Sequence, residues 1–173
     1  MQALVTPRLR LEPLRAAHAD ALYPVLIDPR QLEYLDGGPP ASLEALRERY
    51  IKLESRRSPD GREQWLNWAL LPRSGSGSHA IGFVQATVLE DHRAWVAYEV
   101  AHAFWGQGLA TEATRAMVEH LGAHYGVARC MATVDRRNER SWRLLERLGF
   151  RRAADAEANA QQVQAGDHLY LRP

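Results

Sequence analysis

VAYEVAHAFWGQGLATEA, residues 96–113, followed by NERSWRLLERLGF, residues 138–150, decides how this chain folds. VAYEV reads as a strand, and Gly106 and Gly108 then let the backbone turn sharply with nothing larger than hydrogen toward a ligand. From Leu109 onward, Ala113, Ala116, Met117, His120, Leu121 and His124 recur at threes and fours, the period of a helix with one buried stripe. A strand, a glycine turn and a helix N-terminus together make a phosphate cradle. First-turn N–H donors and the positive end of the helix dipole can hold a phosphate or diphosphate there without a lysine or arginine. Glu112 stands in that first turn and offsets part of the dipole. The plainer reading of the two glycines is a tight strand-to-helix turn that holds nothing.

Working outward, Asn138 suits the N-cap of a helix over Glu139–Leu148, Gly149 suits its terminator, and Phe150 opens a last pair of strands ending at HLYLR. Upstream, RLRLEPL alternates as a strand through Leu9 and Leu11, and Ala16 to Ile27 is helix-like, with Pro24 expected to kink or end it and Asp28 and Pro29 to close it. Ser42 suits the cap of a second helix with the stripe Leu43, Leu46, Tyr50 and Leu53, after a loop EYLDGGPP. Gln64–Leu71, Ala80–Glu90 and Arg93–Val100 read as strands with short connections, hence antiparallel neighbours, with the Gly/Ser stretch Ser74–Ser78 as a hairpin loop. Arg129–Val134 is a further strand. The order β, α, α, β, β, β, α, β, α, β, β predicts one α+β domain over residues 1–173.

A chain of 173 residues suits one domain burying roughly 70% of its unfolded surface. Its 22 basic and 21 acidic residues are interspersed and leave a net charge of +1, which argues against a nucleic-acid partner. Cys130 is the only cysteine and lies in the apolar run Ala128–Val134, so a buried thiol in a reducing, cytoplasmic setting is expected. No apolar run approaches the roughly 20 residues that span a bilayer, and MQALVTPRLRLEPL lacks a signal-peptide core, so no membrane partner is expected. No metal is expected, and a monomer or a homodimer fits equally well.

The element order and these motifs resemble the GNAT superfamily of acetyl-CoA-dependent N-acetyltransferases, in particular its Rim-type branch of ribosomal-protein amino-terminal acetyltransferases. The resemblance is sharpest from Ile81 to Phe150. It implies a central twisted mixed β-sheet flanked by helices, with splayed parallel strands at the cofactor cleft. The family's pyrophosphate loop is Arg or Gln, two residues, Gly, one residue, then Gly or Ala. It falls here on Trp105, Gly108 and Ala110, and the tryptophan followed by GQG and ATEA is what the Rim-like branch shows. The resemblance implies acetyl-CoA as cosubstrate, its diphosphate held by the amides of Gly106, Gln107, Gly108, Leu109, Ala110 and Thr111. It also implies a pantetheine arm beside Tyr98, Glu99 and Val100, and an amide at the strand split that steadies the oxyanion.

The implied reaction is direct transfer of acetyl to a primary amine, either a peptide or protein N-terminus or a small molecule. Deprotonating a lysine amine at pH 7 costs about 4.6 kcal/mol against about 1 kcal/mol for an α-amine, so an α-amine asks less of a base. The family's usual acid, a tyrosine four residues before the Gly-Phe ending, is replaced by Leu145. Ser141 takes its place as the thiolate partner, with Asn138 capping the helix and meeting the pantetheine or sulfur. Glu99 is the leading base, and His102, His92 and His168 are alternatives titrating nearer neutrality. Arg136, Arg137, Arg140 and Arg143 could meet an adenosine phosphate or the substrate, or pair with Glu139 and Glu146 in solvent. Trp65, Trp68 and Trp95 are read mainly as core, and Glu33 and Asp36 as either cation-facing or solubilising.

Two other readings compete. Strand, GQG, helix, strand and Asp135 imitate a dinucleotide-binding unit, but Thr111 occupies the third glycine position and AHAFW separates the strand from the glycines. The missing tyrosine alternatively suggests an acyl-CoA-binding sensor without chemistry.

Overall fold

The computed structural model describes residues 1–34, 38–74 and 79–173. In chain order the elements are β1 (Leu4–Val5), β2 (Leu9–Pro13), α1 (Ala19–Leu26), α2 (Pro29–Leu32), α3 (Leu43–Leu53), β3 (Gln64–Pro72), β4 (Gly82–Val88), β5 (Arg93–Val100), α4 (Leu109–Tyr125), β6 (Arg129–Asp135), α5 (Glu139–Arg147), β7 (Arg151–Arg152), α6 (Asp155–Ala160) and β8 (Asp167–Arg172). The strands form one sheet in the order β1-β2-β3-β4-β5-β6-β8-β7. Every pairing is antiparallel except β5 with β6, which α4 joins by a crossover. This is the mixed sheet flanked by helices that the sequence implied.

Strand alternation assigns the faces. Leu66, Trp68 and Leu70 of β3 are buried with Met117 and Leu121 of α4 and Leu144 and Leu145 of α5. Ala69, between them, turns to the other face and packs with Leu22 of α1 and Leu46 and Tyr50 of α3. A smaller cluster of Met131, Leu169 and Leu171 lies near α6. Trp68 is fully buried, its indole N–H donating to the Gln2 carbonyl at 2.9 Å, whereas Trp65 and Trp95 are half-buried. Cys130 is buried, as read, and burial pushes its thiol up to about 11.

One local feature creates the functional cleft. β5 and β6 pair only at Arg93–Arg129, Ala94–Cys130 and Trp95–Met131. Beyond that, β5 stays with β4 as far as Val100, while β6 stays with β8 as far as Asp135, so the two parallel strands diverge. Main-chain groups from Val96 to Val100 are thereby left without a strand partner on one edge.

The structure adds elements that sequence periodicity does not signal. Asp28 does not simply end the first helix: its carboxylate accepts from Arg30 N–H at 3.0 Å and caps α2. Pro24 is accommodated two residues before the end of α1. β1 is too short for an alternation, and α6 (DAEANA) has no apolar stripe. Ser42 caps α3 through Ala45 N–H at 3.0 Å, as read. Of the loop readings, residues 35–37, including Asp36, and 75–78 lie outside the described residues.

Candidate active site

Gly106 and Gly108 hold φ of 74° and 76°, the left-handed region in which a side chain is strained. Gly108 is the N-cap of α4 and offers no capping side chain, so the first-turn amides of Leu109, Ala110 and Thr111 face outward unsatisfied by it. A Cβ at Gly106 would meet nothing within 4 Å, so the turn opens onto free space. The residues therefore fit a diphosphate: converging N–H donors, a helix dipole and room above them.

The turn is held from several sides. Trp105 Nε1 donates to the Val100 carbonyl at 2.6 Å, and Arg8, just before β2, donates to the Gln107 carbonyl at 2.7 Å. Arg8 also pairs with Glu112 at 2.6 Å, and Thr6 donates to the same carboxylate at 2.6 Å. Burial works against the charge of Glu112, but the bonds from Thr6 and from the Arg8 main chain and guanidinium outweigh it and hold the carboxyl below its ordinary range. The dipole loss expected from Glu112 is thus largely cancelled by Arg8.

A cavity of about 780 Å³ runs from this turn along the diverging strands. Arg8, Arg30, Arg115, Arg140 and Arg147 all line it, a basic rim suited to a polyanion. Of the four arginines around the start of α5, Arg140 reaches it, lying 3.3 Å over the Trp105 ring. Arg143 pairs with Glu139 at 2.9 Å, Arg137 with Asp135 at 2.6 Å, and Arg136 donates to the Gly166 carbonyl at 3.0 Å.

Two proton-handling groups meet the cavity from opposite faces of β5. Tyr98, on the α4–α5 face, places its hydroxyl 2.8 Å from Ser141 Oγ and 2.9 Å from the Ser141 carbonyl. Burial raises the Tyr98 phenol to about 12, with the Ser141 bond pulling the other way. Ser141 is itself fixed by Asn138, whose side-chain oxygen accepts its N–H at 3.1 Å as the N-cap of α5. Glu99 faces the α3 side. Its Oε1 is buried with no hydrogen-bond partner among the described residues, and burial pushes the carboxyl up to about 7, moderated by Arg49.

Of the residues singled out from sequence, Tyr98, Glu99, Val100, Trp105, Gly106, Gly108, Leu109, Ala110, Thr111, Asn138 and Ser141 all line this cavity. Gln107 does not: its side chain donates to the Ala103 carbonyl at 3.2 Å, outside the lining. The Val100 carbonyl already accepts from both Trp105 Nε1 and Gln31 Nε2, the latter at 2.7 Å, so its lone pairs are engaged within the chain. Leu145 is fully buried in the core, not in the cleft. His102 contacts Arg30 at 3.0 Å and Trp105, His92 sits in the turn at the far end of β5, and His168 lies on β8; none of them lines the cavity.

Sequence reasoning placed Tyr98 here through its main chain and missed its hydroxyl, because its partner lies 43 residues away. It also missed Gly82. A Cβ there would run into the Glu99 carbonyl, so this glycine lets β4 press against the strand that carries Glu99. An isolated glycine inside a strand pattern is the sequence signal for such close approach.

Residues 8–151 match the family described as acetyltransferase (GNAT) domain. The chain belongs to the GNAT acetyltransferase family. Membership implies acetyl transfer from acetyl-CoA to an amine and makes the chain an acetyl-CoA-dependent acyltransferase; it also disposes of the dinucleotide-binding reading. An uncharacterized N-acetyltransferase, p20, from Bacillus licheniformis is 25% identical over 152 residues, covering 88% of this chain and 84% of the relative. A GNAT-family acetyltransferase from Bacillus anthracis superposes with a TM-score of 0.78 at 16% identity, covering 98% of this chain and 97% of that one. RimL, a ribosomal-protein α-N-acetyltransferase solved with coenzyme A, superposes with a TM-score of 0.77 at 19% identity over 98% and 96%. Among the described residues no cluster of three or more His, Cys, Asp or Glu could hold a metal ion, and no helix is long and apolar enough to cross a membrane.

Proposed function

We propose that residues 1–173 act as a single N-acetyltransferase domain that passes acetyl directly to a primary amine within a ternary complex. In this reading Glu99 is the base and Ser141 the thiolate partner. The observation that carries it is that Glu99 on β5 and Ser141 on α5, the latter bonded to Tyr98 of the same strand, both line one cavity beyond the point where β5 leaves β6. Acetyl-CoA supplies the thioester, the electrophile of the reaction.

The amides of Gly106 to Thr111 bind the diphosphate, with Arg8 and Arg140 adding positive charge beside them. Because the Val100 carbonyl is engaged, the Tyr98 main chain, on the same strand edge, is the acceptor and donor left for a pantetheine arm. Glu99, with its carboxyl near 7, takes a proton from the attacking amine while the N–C bond forms and the C–S bond breaks. Ser141 Oγ–H then gives its proton to the departing sulfur and is reprotonated from solvent, to which Glu99 returns the proton taken from the amine, so one proton passes net from nitrogen to sulfur. Tyr98 donates to Ser141 Oγ as that hydroxyl turns toward the sulfur, so the serine exchanges one bond for another without losing its position. Asn138 fixes the helical turn that carries Ser141.

The tryptophan version of the turn and the likeness to RimL support a Rim-type acceptor, an amino terminus, and a small-molecule amine fits the same chemistry. Thiol release from acetyl-CoA across a panel of amines tests the proposal. Glu99→Gln and Ser141→Ala should each slow acetylation far more than about twofold, and rates within twofold of the parent for both would refute the role assignments.

A further inference from the structure

Glu99 also borders a second cavity of about 400 Å³, on the α3 face of the sheet. Strand register explains its floor: Asn67, Gln85 and Ala97 lie in one cross-strand row, and Phe83 stands beside Glu99 in the next. Leu14, Leu26, Leu32, Leu46 and Leu53 make apolar walls, so the chamber suits an acceptor with an apolar body.

Its polar groups are unusual for such a lining. Arg49 lines the chamber yet has no ion pair or hydrogen bond among the described residues. Its helical neighbours at three and four residues are Ala45, Leu46, Lys52 and Leu53, so no acid on α3 can pair with it. Arg47, two residues earlier, by contrast pairs with Asp20 and Glu44. The next residue, Tyr50, is 4% exposed, lines the same chamber, and its hydroxyl is buried without a hydrogen-bond partner among the described residues. A buried hydroxyl left unpaired is costly, and one beside a guanidinium with no partner among the described residues matches an incoming anion. Arg49 is close enough for its charge to be felt at both Glu99 and Tyr50, and the Glu99 charge is felt at Tyr50.

We propose that this chamber takes a free apolar α-amino acid or a near analogue, its carboxylate received by Arg49 and the Tyr50 hydroxyl and its amine presented to Glu99. The inference rests on the acetyl-transfer reading above. The amine nitrogen gains the acetyl group and the C–S bond breaks; the amine's proton passes to Glu99 and on to solvent, the sulfur takes one from Ser141, which solvent restores, coenzyme A leaves as the thiol, and the carboxylate is unchanged. Pairing with Arg49 also removes the pull of the neighbouring carboxylate on the ammonium proton, which makes the neutral amine easier to reach. Polyamines and aminoglycosides are poor fits, because Glu99 is the sole carboxylate among the described lining residues and a guanidinium stands beside it.

The test uses the full chain with acetyl-CoA and a matched panel: L-leucine and L-phenylalanine, their carboxamides, a tripeptide beginning with leucine, and spermidine. The free acids should exceed their carboxamides in kcat/KM by at least about tenfold. Arg49→Gln should abolish that preference by raising the KM of the acids, leaving the KM of acetyl-CoA unchanged. Equal or better use of the carboxamides, the tripeptide or spermidine would overturn the proposal, as would an Arg49→Gln effect that falls equally on acid and carboxamide. If no amine is turned over, calorimetry of L-leucine against the coenzyme A-loaded protein decides: binding weakened by Arg49→Gln upholds it, and no binding overturns it. Failure of coenzyme A itself to bind would instead overturn the acetyl-transfer reading.

Discussion

The turn from Trp105 to Thr111 and the chamber beneath α3 are built of different material. The turn offers main-chain N–H groups, whose direction follows from two positive-φ glycines and a helix start. The chamber offers side chains from α1, α3, β3, β4 and β5, whose meeting depends on the whole sheet. A site made of backbone serves a ligand part that every family member shares. One made of side chains can be rewritten for each acceptor without disturbing it. Glu99 belongs to both, lining each cavity, and is where the shared half meets the variable half.

The sharpest way to break this division is at Glu99. Glu99→Gln should lower kcat by about 10²–10⁴-fold. In the parent, kcat/KM should climb as pH rises through about 7, because the base must be ionised, and that limb should vanish in the variant. Stability carries the opposite sign. The folded carboxyl lies above its unfolded value, so its contribution is full at low pH and is lost as pH rises through about 7. Thermal melts of Glu99→Gln should therefore lack that decline.

On the shared side, Tyr98→Phe should slow transfer by about tenfold with little change in either KM, the value of one buried hydrogen bond. A Tyr98→Phe rate equal to the parent would show that Ser141 needs no support. Gly108→Ala forces a Cβ into a φ of 76°, 3.5 Å from the Arg8 guanidinium. It should cost roughly 1–2 kcal/mol and raise the KM of acetyl-CoA while leaving that of the acceptor alone. Asn138→Ala, which removes the α5 cap, should cost about 1 kcal/mol in thermal or denaturant unfolding, the smallest effect of the set.

The same division governs what the sequence discloses. The alternation of Leu9 and Leu11, the stripe of α4 and the caps at Ser42 and Asn138 are local signals, and the elements lie where they point. The cradle is legible for the same reason, since its glycines and its helix are contiguous. Arg8 locking Glu112 from 104 residues away, Tyr98 bonding Ser141, and Arg49 and Tyr50 meeting Glu99 have no local signal. They exist only once the sheet has ordered its strands. α6 was missed for a different reason, lacking any apolar stripe to announce it.

A crystal structure with bound coenzyme A tests the central claim most directly. The account predicts the diphosphate on the amides between Gly106 and Thr111 and the sulfur within hydrogen-bond reach of Ser141 Oγ, between it and Glu99. Coenzyme A lying outside the β5–β6 divergence, or with its sulfur out of reach of both side chains, would contradict it.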